Sequence, residues 1–208
     1  MTRDRQSAIA LIAGSIAWIV TMVLHPTGGS FEKIVRISSV IIGTHSLAIA
    51  TIPLVLFGFW GLTARLGTDR GLPLLALITY AFGSVAAMCA AVINGLTLPA
   101  FAQRFAEADP ASRDAAHLVV DYGSTMNAGF ARVFMAFTAI AVLLWSISIL
   151  TTRTLPRWVG ALGVAAGLTG LFLVLSGTLS VHVHDFGLFV FGYAVWTILV
   201  GVSLWRRP

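Results

Sequence analysis

The sequence predicts an all-α fold, a bundle of six transmembrane helices that forms a single domain over residues 1–208. Two observations lead to this prediction. Hydrophobic residues fill 58% of the 208 positions and charged residues only 10%, with a mean hydropathy of +0.92, whereas about a quarter of the residues of a soluble domain are charged. Six stretches are also apolar over the roughly 20 residues that a helix needs to cross a bilayer. The lipid bilayer is therefore the expected environment.

The six predicted spans are joined by short connections except in one place. Their approximate limits are residues 8–24, 37–62, 72–97, 129–150, 158–181 and 186–205. The loop 98–128 is polar and longer than the usual helix connection of about 2 to 8 residues. Because Asp109 is suited to cap a helix and Pro110 to take its first position, this loop is predicted to form an outer helical cap. The polar stretch around Asn127 and the neighbouring glycines leave open whether the cap helix continues into the fourth span.

The arginines predict how the bundle is oriented. Eight of them flank the side that holds both termini, accompanied only by Asp4 and Asp69: Arg3, Arg5, Arg65, Arg70, Arg153, Arg157, Arg206 and Arg207. Short basic connections face the cytoplasm, so both termini are expected there, in the inner membrane of a bacterium. These clusters also account for the net charge of +5, so nucleic acid is not an expected partner. A second copy of the chain or another membrane subunit stays open as a partner.

All five histidines are predicted to lie on the outer side, where they suggest a metal site. In His182-Val183-His184-Asp185, an extended backbone would point both imidazoles the same way. His117 and Asp121 are four residues apart and share a helix face. Imidazoles and carboxylates together suit zinc, iron or copper. The predicted metal ligands are His25, His45, His117, Asp121, His182, His184 and Asp185. A solvated turn and an ordinary helix surface are the alternative interpretations of the two motifs.

His45 is the most informative single residue, because an ionisable side chain within an apolar span usually marks a functional site. The alternative is a neutral histidine that forms a hydrogen bond across the bundle. Asn94 and Arg132 are predicted to join His45 in binding a cofactor, although Asn94 could simply join helices and Arg132 could reach lipid phosphate. On a continuous helix, Arg132 would share one stripe with His117, Asp121, Ser124 and Thr125.

These patterns lead to a functional hypothesis with open alternatives. The leading hypothesis is a histidine-rich pocket near the periplasmic face that binds a transition metal, with possible metalloenzyme activity on a hydrophobic small molecule. The alternatives are a subunit that binds haem or quinone through His45, and a non-catalytic membrane scaffold. No Asp or Glu lies in the middle of a span, which disfavours an ion-coupled transporter. Strong enzyme motifs are lacking, so enzymatic activity stays undecided.

Overall fold

The computed structural model describes residues 1–26 and 29–206, and the secondary structure of these residues is helical. Six helices are the main elements: α1 (Arg3–Leu24), α3 (Ser38–Leu66), α4 (Gly71–Ala91), α6 (Pro110–Thr152), α7 (Arg157–Leu175) and α8 (Val183–Trp205). Two short helices, α2 (Phe31–Arg36) and α5 (Leu98–Arg104), accompany them. A π-helical turn, Val92–Thr97, connects α4 to α5. Arg207, one of the arginines on the predicted cytoplasmic side, lies outside the described residues.

Six helical segments in the described part of the chain are long and apolar enough to cross a bilayer. They are α1, α3, α6, α7, α8 and the continuous segment from α4 through the π-helical turn to α5. The prediction of an all-α bundle of six membrane-spanning helices is thus confirmed. Both termini lie at one end of this bundle, and we call the opposite end the distal end.

The bundle is built from two groups of helices. In one, α1 packs between α3 and α8, and in the other α6 packs between α4 and α7. Small residues lie where helices cross: Gly58 faces Leu11 between α3 and α1, and Gly167 faces the backbone of Ala139 between α7 and α6. In lipid, where no hydrophobic force draws helices together, such close approach supplies the packing energy.

Aromatic side chains fill the centre of the bundle. The ring of Phe59 stacks on Trp145 with 4.3 Å between centroids, and Tyr80, Tyr193 and Trp196 surround this pair. The Trp145 indole donates a hydrogen bond of 3.0 Å to the Thr63 hydroxyl. Because the buried Trp145 N–H has a partner, this polar atom adds little cost to the dense core.

A second, smaller core lies at the distal end and forms the cap. Phe31, Leu98, Ala102, Ala116 and Val120 are buried together between α2, α5 and the first third of α6. Polar contacts add to this packing: Arg113 of α6 donates to the Glu32 carboxylate of α2 at 3.0 Å, and Gln103 of α5 donates to the Ser38 hydroxyl at the start of α3 at 2.6 Å. The cap is therefore a packed unit, as the helix signals of the loop suggest.

Several helix limits at the distal end differ from the predicted span limits. The helix that contains the fourth span begins well before residue 129, because α6 runs unbroken from Pro110 after the Asp109 side chain caps it by accepting from the Ser112 N–H. The fifth span ends at Leu175 and not near residue 181, since Gly177 adopts a positive φ of 70° and turns the chain. The sixth helix begins at Val183, three residues earlier than predicted.

Candidate functional site

A cavity of about 220 Å³ lies inside the bundle at the distal end. We call it the distal pocket. It is mostly apolar, with Trp18, Phe134 and Phe186 among its walls, and alanines of α4 and α6 make room for it. Five polar side chains also line it: Thr21, His25, His45, Asn94 and Asn127. An apolar cavity with a few polar groups is the usual form of a small-molecule site, although about 300 to 1,000 Å³ is the common size range.

His25 and His45 meet at one wall of the distal pocket. Their ring centroids are 4.8 Å apart and the ring planes form an angle of 60°. His25 follows directly after α1, whereas His45 lies two turns into α3 and is only 6% exposed. The antiparallel packing of α1 against α3 brings these two residues together.

Both imidazoles are oriented by backbone carbonyls. The Nδ1 atom of His45 is 2.9 Å from the Ile41 carbonyl oxygen, and Nδ1 of His25 is 3.0 Å from the Pro26 carbonyl oxygen. Because a carbonyl oxygen can only accept, each Nδ1 carries the hydrogen. In the neutral form, each ring then has a lone pair at Nε2. For His45 this atom faces Asn94, whose Nδ2 donates at 3.5 Å.

Asn94 reaches His45 from a distorted part of the helix. It lies in the π-helical turn Val92–Thr97, where Leu98 donates its N–H to Ile93, five residues back. The cause is Pro99, which has no N–H to donate to the carbonyl four residues earlier and whose ring crowds that carbonyl. Wide turns of this kind occur often at functional sites.

Gly95 completes the contact between the π-helical turn and α3. It is buried, and a Cβ atom at this position would collide with Cβ and Cγ of His45. The absence of a side chain therefore allows the backbone of the turn to press directly against the imidazole. Close backbone approach of this kind requires glycine.

The His25–His45–Asn94 group separates two cavities. A second cavity, of about 120 Å³, lies on the cap side and is lined by the same three residues together with Lys33, Leu98 and Ser124. The distal pocket lies on the other side of the group, toward the membrane core. The three polar side chains thus form a wall between an apolar cavity and a more polar one.

Burial shapes the electrostatics at this wall. It lowers the pKa of His25 from its usual value, against a smaller opposing effect of the hydrogen bond to Pro26. An imidazole that is hard to protonate remains available as a hydrogen-bond acceptor or a metal ligand at neutral pH. The wall therefore offers lone pairs rather than positive charge.

His117 and Asp121 do not join this group. His117 is half-buried in the cap, where its ring lies against Phe31 with 4.8 Å between centroids and 33° between the ring planes. Asp121 is exposed on the surface of α6. The continuous helix places them on one face as expected, but neither residue lines the distal pocket.

The histidines before the last helix also lie apart from the wall. His182 is the N-cap residue of α8, and His184 is already in the first helical turn, so the expected extended backbone for this segment is wrong. The physical reason is Asp185, which accepts from both the Ser180 N–H and the Ser180 hydroxyl and thereby closes the turn at the helix start. Both histidines are exposed.

Arg132 lies on the exposed face of α6 and lines neither cavity. The predicted stripe exists because α6 is continuous, yet Asp121, Thr125 and Arg132 all point away from the bundle. Of the stripe residues, only Ser124 reaches a cavity, the one on the cap side.

The donor atoms at the site are few. Within residues 1–26 and 29–206, no three side chains of His, Cys, Asp or Glu come close enough together to hold a metal ion. Two imidazoles and one amide are what the wall provides.

Comparison with known proteins adds nothing to this geometry. No protein-family model, curated protein or solved structure matches the chain. The interpretation of the site therefore depends on its own chemistry.

Sequence reasoning missed part of the distal pocket. Asn127 was considered only as a helix breaker, yet it lines the pocket together with Ala131 and Phe134. Spacings of four and seven residues place all three on one helix face, and this pattern was the available signal. Trp18 could not be identified in this way, because its position becomes meaningful only after α1 has packed against α3.

Proposed function

We propose that the protein binds a lipid-soluble small molecule in the distal pocket and holds the oxygen-bearing end of that molecule at His45 and Asn94. The observation that carries the proposal is the buried His45 imidazole. Its Nδ1–H is already donated to Ile41, so its Nε2 lone pair is the acceptor presented at the edge of an apolar cavity. Nδ2 of Asn94 lies 3.5 Å from Nε2 of His45, the outer limit of a hydrogen bond. A ligand hydroxyl can therefore replace Asn94 as the donor to His45 at little cost.

A quinone or quinol is the ligand class that fits these groups best. Its head group is flat, carries carbonyl or hydroxyl oxygens, and is attached to an apolar chain. The amides of Asn94 and Asn127 can donate to carbonyl oxygens and His45 can accept from a hydroxyl, while the aromatic walls suit a ring. A volume of about 220 Å³ favours such a head group over the larger haem macrocycle.

Binding of a short-chain quinol tests the proposal. Decylbenzoquinol, whose hydroxyl can donate to Nε2 of His45, is titrated into the purified protein under reducing conditions while tryptophan fluorescence is recorded. The part due to Trp18 is isolated by subtracting the signal of Trp18→Phe. Decylbenzene, which lacks the oxygens, is the comparison ligand. We expect His45→Ala to weaken quinol binding about tenfold, as loss of about 1.4 kcal/mol implies, and to leave decylbenzene binding unchanged.

A matched control is His184→Ala, which removes an exposed histidine at the same end of the bundle. It should bind the quinol as the wild type does. Equal affinity of the wild type for both ligands, or equal quinol affinity of His45→Ala and the wild type, would contradict the proposal.

A transition metal held by His25 and His45 is a second candidate, supported by a specific observation. Metal-binding histidines usually donate the other ring N–H to a carbonyl or carboxylate, and both rings do this toward backbone oxygens. The Asn94 oxygen or a bound substrate would have to supply further ligands. Elemental analysis of protein purified without a His tag tests this candidate: His45→Ala should lose near-stoichiometric metal that His184→Ala retains.

We also propose that the bundle lies in a bacterial inner membrane with both termini in the cytoplasm, which places the distal pocket near the periplasmic face. The arginine clusters at the ends of the spans near the termini support this orientation. A C-terminal fusion to alkaline phosphatase, an enzyme that is active only outside the cytoplasm, should be inactive. An active fusion would reverse the orientation.

A further inference from the structure

A third cavity, of different character, lies near the chain termini, on the outside of the bundle between α1 and α8. It is a groove of about 410 Å³. Its walls are apolar and come from both helices: Ile9, Ile12, Ala13, Ile16, Val202 and Trp205. Ile16 and Trp205 are 50% and 45% exposed, so the groove opens toward the lipid. It shares no residue with the distal pocket.

The groove together with Arg5 matches the depth of one leaflet of a bilayer. From Arg5, which contacts the Trp205 wall, to Ile16 of the groove, α1 advances eleven residues, or about 16 Å at 1.5 Å per residue. The hydrocarbon core of a bilayer is about 30 Å thick, so the groove extends from the interface to about the middle of the membrane. One acyl chain of a phospholipid spans the same depth.

The end of the groove at the membrane interface is basic. The Arg5 guanidinium lies 5.5 Å from the centroid of the Trp205 ring, which forms part of the groove wall. Arg206 comes directly after Trp205 in the sequence and is exposed. The nearby Asp4 carboxylate is paired with Arg65, 3.1 Å away, and the other ion pair of the described residues does not include Arg5 either.

This arrangement suits a phosphate group. The contact with the indole holds the Arg5 guanidinium at the end of the groove and leaves N–H donors for a ligand. Such donors bind phosphate oxygens in pairs. Because neither ion pair of the described residues includes Arg5, a lipid with a net negative charge gains more than a zwitterionic lipid.

We propose that the groove binds one anionic phospholipid of the leaflet nearest the termini, with an acyl chain between α1 and α8 and its phosphate at Arg5. The site is independent of the distal pocket and of the function proposed for it. Arg5 and Trp205 set the depth of the headgroup, and the small side chain of Ala13 leaves space for the chain.

Fluorescence quenching by brominated lipids tests this proposal. The full chain is reconstituted into vesicles that contain phosphatidylglycerol or phosphatidylcholine with brominated acyl chains at equal mole fraction. The contribution of Trp205 is isolated by subtracting the signal of Trp205→Phe. We expect phosphatidylglycerol to be about fivefold more effective than phosphatidylcholine, the preference expected from one basic side chain near an anionic lipid.

Three variants test where the lipid binds. Arg5→Gln should bring the preference close to one, whereas Arg3→Gln should retain it, because Arg3 stacks on Trp60 at 5.6 Å and lines no part of this groove. Ala13→Phe fills the groove from an exposed position and should reduce quenching by both lipids. Equal quenching by both lipids in the wild type, or equal losses in the two arginine variants, would overturn the proposal.

Discussion

Gly95→Ala is the substitution that tests the architecture of the site most directly. Gly95 lies in the π-helical turn, and a Cβ atom there would collide with Cβ and Cγ of His45. These atoms lie close to the backbone of α3, so they cannot move aside as the end of a flexible side chain could. The substitution should therefore either displace His45 together with its backbone or force the π-helical turn away from α3.

The loss of stability caused by Gly95→Ala can be estimated by comparison with Gly43→Ala. Gly43 lies on α3 only two residues from His45, and nothing lies within 4 Å of the place where its Cβ would be. Each substitution gains about 0.5 to 1 kcal/mol because alanine favours a helix more than glycine does. The difference between the two variants cancels this gain and isolates the collision, which should cost about 1 to 3 kcal/mol.

The assay is unfolding in detergent by a denaturant titration, followed by circular dichroism and analysed by linear extrapolation. Gly43→Ala should equal or exceed the wild type in its free energy of unfolding, and Gly95→Ala should fall below Gly43→Ala by the stated amount. Gly95→Ala should also bind decylbenzoquinol about tenfold more weakly, because His45 and Asn94 lose their relative position. Equal stability and equal quinol binding of the two variants would refute the close contact on which the site depends.

Three further predictions concern the rest of the molecule. Burial lowers the pKa of His25, so as the pH falls the imidazole is protonated first in the unfolded chain. The free energy of unfolding should therefore decrease as the pH drops below about 6.5. Unfolding titrations at several pH values should show a weaker pH dependence for His25→Gln. Gly163→Ala should destabilise the bundle by about 1 to 3 kcal/mol, since its Cβ would meet Trp196 and a hydroxyl of α6, whereas Gly192→Ala, in open space, should not. Asp109→Ala removes the cap of α6 and should lower the free energy of unfolding by about 0.5 to 2 kcal/mol, measured by the same titration.

The fold was predictable because the bilayer imposes it. A chain in hydrocarbon must satisfy its backbone hydrogen bonds internally, so each apolar stretch of sufficient length had to become a helix. The cap helix was predictable for a local reason, because Asp109 can cap a helix and Pro110 can take its first position. The end of α7 was not, because Leu179 and Val181 continue the apolar residues beyond Leu175, whereas the chain turns at Gly177 with its positive φ.

The site was predictable only in part. His45 was identified because an imidazole in an apolar span is costly, and Asn94 because it is polar near a span end. The neighbours of His45 depend on packing between distant helices, which the spacing of residues along one helix cannot reveal. The π-helical turn had a signal in the four-residue spacing of Gly95 and Pro99, but the sequence indicates only that the helix is disturbed there, and not toward which neighbour.

The lengths of the helices explain why the site is where it is. The helices α1, α7 and α8 have 22, 19 and 23 residues, close to the number that crosses a bilayer, whereas α3 and α6 have 29 and 43. At the distal end the short helices stop and the long ones continue into the cap. His25 lies at the end of α1, and Val183 of the pocket wall lies at the start of α8. The pocket thus forms at the level where the apolar bundle meets the cap, and the ligand that we propose, with its apolar tail and polar head, would match that boundary.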